Sequence, residues 1–469
     1  MRGQRWFLVG FVAAVVAVVA VAPAAGARRW TRIASGGMDV SDQVGPARSS
    51  DGVLHVAWRH RGSTQELFQT PIAASGAVGS PVTIVGGWAS VGSPALVAQG
   101  PVLSLFFPGT ATLTTGDPTY GLDLAQSFDA GASWRVSPTA IARNEFAFAR
   151  TPAAAAVSGS YVQAWDGTDS TVVHTGLDPN VPPMGGYGTG TDQALATASP
   201  AHGQAAQVMV AWCNELGAST GVFLARVDPY TSNGARIGDV VALPDTGRCP
   251  ADTRVALASF RDIPRGSPAG EPYFYTAASS ANGRTVRVYV IAQGKVVSVQ
   301  KVAAGPSFKQ QIAIATGPKG RVWVGWRDSD TGDLVFRRSD PRSGFVYGAP
   351  VTVPLPRGQS ISQLALDAQD GRLDAVATTS DDNNVVSLFA TQVRPGLTLR
   401  AGTAKTIART GFRVLDAGDP VRDATVKVAG LTLVTDQRGY ARARLQPGTY
   451  TATASKPGYV NASVHLRVR

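Results

Sequence analysis

The sequence predicts an all-β protein: a β-propeller followed by a small C-terminal β-sandwich. Three observations support this fold class. Gly (52 residues) and Pro (30) punctuate a chain of 469 residues that is 44% hydrophobic and only 16% charged, which disfavours disorder, collagen and extended coiled coil. A strand motif ending in an aromatic residue recurs, with almost no helical periodicity between its copies. The motif is lost from about residue 406, where a different set of turns begins.

The repeated motif is a Gly or small polar turn followed by an alternating strand that reaches an aromatic residue. Clear copies span residues 51–58, 100–106, 159–165, 207–212 and 320–326, and weaker copies span 270–275 and 371–376. Further short strands flank each copy, so the repeat is a four-stranded unit of about 50 residues, as in propeller blades. A ring of blades covers both faces of each sheet with its neighbours.

Seven such units fit between about residues 40 and 398, and six blades is the alternative. The predicted units start near residues 40, 89, 145, 192, 249, 308 and 360.

A turn motif in the second unit carries a family resemblance. The motif reads Ser127-Phe-Asp129-Ala-Gly131-Ala-Ser133-Trp134. It resembles the Asp-box of the sialidase-like or BNR-repeat propellers, with Ser133 in the place of Thr. Asp bonds to nearby backbone and Gly accepts positive φ, so both residues favour a turn. The resemblance implies a structural hairpin on the face opposite the ligand.

The C-terminal segment has its own turn pattern. It contains Gly418-Asp-Pro420-Val, Thr435-Asp436-Gln-Arg-Gly439 and Pro447-Gly448-Thr-Tyr450. This spacing resembles the carboxypeptidase regulatory-like (transthyretin-like) β-sandwich, which implies a structural or adhesive module without catalytic residues. We therefore expect a propeller over residues 28–398 and a sandwich over residues 399–469.

The N-terminal segment has the order of a secretory signal peptide. Arg2 and Arg5 precede an apolar run over residues 6–22, and Ala25-Gly-Ala27 follows. We expect cleavage after Ala27, leaving no transmembrane span, and a secreted or cell-surface protein. The alternative is an uncleaved anchor.

The net charge of +11 is concentrated at the two ends of the chain. Residues 396–469 hold 12 basic and 4 acidic residues, whereas residues 30–395 have a net charge of −1. The neutral body disfavours nucleic acid as a partner. The basic C-terminal module is expected to bind anionic envelope polymers or phospholipid surfaces weakly, through contacts that salt screens. We expect a monomer.

Loops that follow the second strand of each blade share one face with the loops between blades, where propellers usually bind ligands. The binding candidates predicted for this face are Arg59, Arg150, Asp166, Arg254, Arg327 and Asp328. The alternative is that these arginines are solvated or pair with neighbouring aspartates. Glu215 is the weak candidate for a catalytic carboxylate, since it alone of four glutamates is placed on this face.

A sialidase-type hydrolase needs an arginine cluster, a Tyr nucleophile with a Glu beside it, and an Asp acid/base. The chain offers few such groups. The leading interpretation is therefore a non-enzymatic protein that binds a glycan or an envelope polymer through the propeller face. The alternatives are a sialidase-like glycoside hydrolase and a structural interaction scaffold.

The sequence predicts neither a cofactor nor a metal. Asp328, Asp330 and Asp333 place oxygens at alternating positions that suit Ca²⁺, but Gly332 and Asp333 reverse the EF-hand order. A β-turn is therefore favoured over a cation site. The histidines show no ligand spacing, and His55 is expected in the core.

The two cysteines, Cys213 and Cys249, are predicted to form a disulfide, because the exported chain matures in an oxidising compartment. Cys213 follows the aromatic residue of the fourth unit, and Cys249 connects the fourth unit to the fifth, so both lie on the ligand face. The bond closes a loop of about 35 residues, worth roughly 3–4 kcal/mol in the chain-entropy model. It would also hold Glu215 in place.

Intact-mass measurement of the secreted protein tests this bond. Alkylation without reductant should add no mass, and alkylation after reduction should add two groups. Two alkylated thiols without reductant would contradict the bond and the placement of the fourth and fifth blades.

Overall fold

The computed structural model describes most of the chain. The described residues are 30–111, 120–146, 152–157, 159–166, 171–178, 184–187, 190–198, 206–214, 220–231, 234–246, 255–260, 273–341, 346–402 and 409–468. These residues form β-strands, with a short 3-10 turn at Pro318–Gly320. Within these ranges no helix is long and apolar enough to cross a membrane.

Seven antiparallel sheets form a ring, and each sheet has four strand positions. Strand β1 (Thr31–Ser35) precedes the first blade. Blade 1 comprises β2 (Gly45–Arg48), β3 (Leu54–Arg61), β4 (Gln65–Ile72) and β5 (Val82–Trp88). In blade 2, β6 (Ser90–Val91) and β7 (Ala95–Gln99) share the first position, followed by β8 (Val102–Thr110) and β9 (Tyr120–Ser127), with β10 (Arg135–Val136) and β11 (Ala142–Phe146) sharing the fourth.

The next three blades follow the same order. Blade 3 comprises β12 (Ala153–Val157), β13 (Ser160–Asp166), β14 (Thr171–Thr175) and β15 (Met184–Tyr187). Blade 4 comprises β16 (Gly190–Ala198), β17 (Gln207–Asn214), β18 (Gly221–Thr231) and β19 (Gly234–Ala242). Blade 5 comprises β20 (Ala256–Ser259), β21 (Phe274–Ser279), β22 (Thr285–Ala292) and β23 (Lys295–Ala304).

The last two blades complete the ring. Blade 6 comprises β24 (Lys309–Thr316), β25 (Val322–Asp328), β26 (Leu334–Arg338) and β27 (Val351–Val353). Blade 7 comprises β28 (Ser360–Gln369), β29 (Arg372–Ser380) and β30 (Val386–Val393), with β1 as its fourth strand. The repeated motif of the sequence falls on the second strand of six blades. In blade 5, only Phe274 and Tyr275 of the weak copy over residues 270–275 lie in β21, and residues 270–272 lie outside the described residues. We call the face where the second strands end the upper face, and the opposite face the lower face.

The N-terminal strand closes the ring. Strand β1 pairs antiparallel with β30, with Thr31 opposite Ala390 and Ser35 opposite Ser387. The outermost strand of the last blade therefore comes from the start of the chain. The repeat pattern starts the first unit near residue 40 and misses β1, because this strand lacks the recurring aromatic residue.

Each seam between neighbouring blades holds its own apolar cluster. Between blades 6 and 7, for example, Trp323 and Phe336 pack with Ala375 and Ala377, all fully buried or nearly so. Large aromatic side chains of one sheet thus face small side chains of the next. This pairing of large and small residues lets twisted sheets approach closely, and it explains the alternation of Ala, Val and aromatics in the sequence.

A buried ion-pair cluster joins blade 7 to blade 1 at the lower face. The Arg48 guanidinium lies 2.6 Å from Asp367 and 2.5 Å from Asp374, and it also donates to the Gly52 carbonyl. All three charged side chains are at least nine-tenths buried. The cluster therefore supports the same seam that β1 closes.

The C-terminal residues form two packed sheets. One contains β31 (Thr398–Ala401), β32 (Thr410–Asp416), β33 (Asp419–Pro420) and β36 (Tyr440–Ala443), and the other contains β34 (Thr425–Val428), β35 (Leu431–Val434), β37 (Gly448–Ser455) and β38 (Ala462–Val468). Their shared core includes Phe412, Val414, Val426, Ala452 and Ala454. This arrangement is the predicted β-sandwich.

The sandwich docks under blade 6 at the lower face. The buried Arg338 guanidinium pairs with Asp416 and lies between two rings, 5.5 Å from the centre of Trp323 and 6.0 Å from that of Tyr459. Arg321 adds a 2.7 Å ion pair to Asp419. Two propeller arginines thus bind two sandwich aspartates, which fixes the orientation of the module.

Replacing Arg48 by Ala should destabilise the propeller by about 3–5 kcal/mol, because two buried carboxylates would lose their shared partner. Urea unfolding followed by tryptophan fluorescence measures the effect. Arg422→Ala is the control, since the exposed Arg422–Asp423 pair should contribute no more than about 1 kcal/mol. Equal effects of the two substitutions would show that the Arg48 cluster does not support the ring.

Candidate binding face of the propeller

A central channel runs between the blades. Its cavity of about 250 Å³ is lined by the first strands of all seven blades. The described lining consists of Ala, Val, Leu, Ile, Gly and Pro, with two exceptions, Gln43 and Gln363. Gln43 precedes β2 and Gln363 lies near the start of β28, so both belong to the upper end of the channel, on adjacent blades. The channel is therefore apolar below and carries amide groups above.

Other first strands also carry Gln at their upper ends. The pairing register shifts between Thr191 and Ala194 in β16, and between Gln310 and Ala313 in β24. Gln193 and Gln311 lie within these shifts, and a third shift directly precedes Gln363. Such bulges re-aim side chains in a sheet. Amide side chains thus recur at the top of the ring.

The predicted binding residue Arg59 lies at the upper end of β3, but it is already paired. Its guanidinium is buried, forms a close ion pair with Asp42 and donates to the Val91 carbonyl at 2.9 Å. The half-exposed Arg61 also reaches Asp42, at 3.2 Å, and Asp39, at 3.1 Å. For Arg59, these contacts agree with the alternative interpretation, in which the predicted arginines pair with neighbouring aspartates. Sequence reasoning missed Asp42, because it lies in the irregular segment before the first repeat.

A second upper-face ion pair lies in blade 6. Lys309, at the start of β24, is buried and contacts Asp328, at the end of β25, at 2.5 Å. Ser307 donates to the same carboxylate at 2.8 Å. Burial acts to raise the pKa of Asp328, but the bonds from Lys309 and Ser307 outweigh it, so this pKa lies below its usual value. The Asp328 carboxylate therefore links the first strand of blade 6, β24, to its second strand, β25.

The segment suggested as a weak Ca²⁺ site forms a turn. The Asp328 amide donates to the Asp333 carbonyl at 3.0 Å, and the other Asp328 carboxylate oxygen accepts the Asp330 amide at 3.2 Å. Gly332 has a φ of +74°, as its place in the turn requires. The described residues include no group of three side chains suited to hold a metal ion. Arg327, the residue before Asp328, donates weakly to Gln310 at 3.4 Å.

The structure describes only some of the remaining predicted site residues. Asp166 is the last residue of β13, and Cys213 is fully buried in β17. Arg150, Glu215, Arg254 and Cys249 lie outside the described residues. The disulfide and any role of Glu215 therefore stay predictions.

The turn at residues 127–134 is a hairpin on the lower face between β9 and β10. Asp129 accepts bonds from the Ser133 hydroxyl at 2.5 Å, the Ser133 amide at 2.9 Å and the Ser127 hydroxyl at 2.7 Å. The Ser127 oxygen in turn accepts the Gly131 amide at 2.8 Å. Trp134 packs into the seam between blades 1 and 2. These side chains hold the turn together, as the sequence predicts for a structural hairpin.

Glycine is required at position 131. Its φ is +88°, and a side-chain carbon there would lie 3.0 Å from Gln69 Oε1 and 3.1 Å from His55 Nδ1. His55 is buried and bonded to Ser49 and Gln69, both at 2.8 Å, which confirms the expected core histidine. The turn of blade 2 therefore packs against a polar cluster of blade 1 that consists of Ser49, His55 and Gln69.

No protein-family model and no curated protein matches the chain. Many solved structures resemble the chain distantly, and three of them serve as examples. They are a protein of unknown function from Dyadobacter fermentans (10% identity, 78% of this chain and 99% of that one, TM-score 0.43), a Hadza microbial sialidase (14%, 61% and 63%, 0.42), and a lectin from Aleuria aurantia in complex with Fucα1-6GlcNAc (9%, 82% and 99%, 0.39). These likenesses are distant, so the architecture rests on the strand pairing described above.

The 127–134 turn predicts a pH effect on stability. The hydrogen bonds from Ser133 and Ser127 lower the pKa of Asp129 from 3.8 to about 2. The pKa of Asp129 is lower in the folded state than in the unfolded state. The hydrogen bonds of its carboxylate therefore contribute fully to stability above about pH 4, and this contribution is lost as the pH falls towards 2. Asp129→Asn should therefore flatten the dependence of the unfolding midpoint on pH between 4 and 2.

The control is Asp382→Asn, which changes an exposed aspartate in the turn between β29 and β30. Urea midpoints at several pH values measure both variants. If both flatten the profile equally, the turn has no special role in acid sensitivity.

Proposed function

We propose that this chain is an exported, non-enzymatic glycan-binding protein whose ligand enters the upper end of the propeller channel. The observation that carries the proposal is the pair of amide side chains, Gln43 and Gln363, above a wall of apolar residues. An amide both donates and accepts hydrogen bonds, which suits the hydroxyl groups of a sugar. Apolar walls with few convergent polar groups are typical of ligand sites.

The charges around the channel support an uncharged ligand group at this point. Arg59 is neutralised by Asp42, and Lys309 by Asp328, so these two pairs present little net charge to an incoming molecule. Both pairs are largely buried, and breaking them to bind an ion would leave a charge without its partner. Recognition by amide groups leaves these pairs intact.

The same pairs argue against a role for these residues in hydrolysis. A glycosidase needs two carboxyl groups free to protonate and attack the substrate. Asp42 and Asp328 are instead paired with buried cations, Arg59 and Lys309, and so are not free to attack a substrate, although burial raises the pKa of Asp42 to about 7. The hydrolase alternative therefore depends on Glu215.

Binding to an array of neutral glycans, with the full mature chain, tests the proposal. The double variant Gln43→Ala/Gln363→Ala should weaken binding by about tenfold or more, because each lost neutral hydrogen bond contributes about 0.5–1.5 kcal/mol. Gln300→Ala is the matched control, since Gln300 lies in the outer strand of blade 5, far from the channel.

Two outcomes contradict the proposal. Equal binding by wild type and the double variant would remove the channel mouth as the site. Turnover of fluorogenic glycosides by wild type that disappears in Glu215→Gln would instead establish the glycosidase.

A further inference from the structure

One outer face of the C-terminal sandwich carries five of the twelve basic residues of this module. In the sheet formed by β31, β32 and β36, cross-strand pairs align Arg400 with Arg413, and Arg413 with Tyr440. Paired residues in a sheet point to the same side. Since their strand neighbours Leu399, Phe412 and Ala441 are buried in the core, this row faces outward.

Two more rows continue the same face. Gly402 donates to Gly411 across the strands, and Gly411 is paired with Arg442. Arg409 and Arg444 flank the next pair, Thr410 and Ala443, and both arginines are exposed. Five arginines thus share a face of three strands. We call this set, Arg400, Arg409, Arg413, Arg442 and Arg444, the arginine face.

The two glycines form a depression in the middle of the arginine face. Among the described residues, nothing lies within 4 Å of where a side-chain carbon of Gly411 would be, and a side-chain carbon of Gly402 would meet only the Gly411 carbonyl, at 3.7 Å. Neither residue has a positive φ, so the backbone conformation does not demand glycine. The depression is bordered by Arg400 and Arg413 on one side and by Arg442 across the sheet.

Few acceptors compete for these guanidinium groups. The Nε of Arg413 is buried and has no hydrogen-bond partner among the described residues, while its guanidinium lies 5.2 Å from the centre of the Tyr440 ring. The aspartate nearest in sequence, Asp436, lies in the turn before β36 and accepts the amides of Arg438 and Tyr440. The Tyr440 amide, and to a lesser degree the charges of Arg438 and Arg442, lower the pKa of this carboxyl, so Asp436 is one acidic neighbour of the face among the described residues. Among the described residues, the three strands contribute no carboxylate to the outward rows.

We infer that the arginine face binds an anionic polysaccharide, with one acidic group of the polymer seated over Gly402 and Gly411. A guanidinium fork donates two parallel hydrogen bonds to a carboxylate. Rows of side chains on one strand repeat every two residues, or about 6.7 Å. Three rows therefore offer contacts to several successive units of a linear polymer. This inference is independent of the proposed channel site.

The composition of the face favours a polysaccharide over a membrane or a nucleic acid. Attachment to a bilayer surface uses apolar side chains that enter the lipid, and Tyr440 is the one large ring on these rows. Single-stranded nucleic acid needs several aromatic platforms for its bases. Here Arg413 already covers one side of the single ring. Charge without apolar or stacking groups matches a carboxylated sugar chain.

Isothermal titration of the full mature chain with polygalacturonate tests the inference. Arg400→Gln/Arg442→Gln should weaken binding by at least about tenfold, because hydrogen bonds to a charged group are roughly twice as strong as those between neutral groups. Gly411→Val should cause a similar loss without any change in charge, since it fills the depression. The matched control is Lys427→Gln/Arg467→Gln, which removes the same charge from the exposed face of the other sheet.

The control should bind within about twofold of wild type at physiological salt, where exposed charges are screened beyond about 8 Å. Equal losses in both double variants, with Gly411→Val unchanged, would reduce the effect to general electrostatics and overturn the site. Tighter binding to phosphatidylglycerol vesicles or to polyuridylate than to polygalacturonate would overturn the choice of ligand. An unchanged melting temperature of Gly411→Val confirms that its effect is local.

Discussion

Ring closure by β1 is the constraint on which the rest of the propeller depends. Six seams between blades follow from neighbours in sequence, whereas the seventh needs the pairing of β1 with β30. The Arg48 cluster with Asp367 and Asp374 supports the same seam. The channel has its amide groups on either side of this seam, since Gln43 belongs to blade 1 and Gln363 to blade 7. An open ring would separate the two.

Ionisable groups in this protein act mainly as structural links between elements. Arg59 joins Asp42, Lys309 joins Asp328, and Arg338 joins the propeller to Asp416 of the sandwich. Burying such pairs costs desolvation energy, and their value lies in specifying which elements meet. Because Arg59 and Asp328 are already paired with neighbouring side chains of opposite charge, these two residues are poor indicators of ligand chemistry. The arginine face of the sandwich differs, because its outward rows contain no carboxylates among the described residues.

Local patterns in the sequence were sufficient to predict much of this fold. The recurring aromatic strand marks the second strand of each blade, since one side of that strand always packs against a neighbouring sheet. The 127–134 turn was predictable because Ser127, Asp129 and Ser133 bond to each other within eight residues. Contacts between distant segments left no local pattern. Strand β1, Asp42 and the amide pair at the channel mouth are therefore findings of the structure alone.

The position of β1 in the chain also determines when folding of the propeller can finish. Strand β1 is synthesised before the blades, and its backbone groups cannot form their hydrogen bonds until β30, near the end of the propeller, has been made. Contacts between such distant parts of a chain form slowly, and unpaired strand edges promote association with other chains. A nascent chain therefore exposes β1 and then β30 as open edges. The risk that these edges associate with other chains therefore depends on how soon the last blade is made after the first.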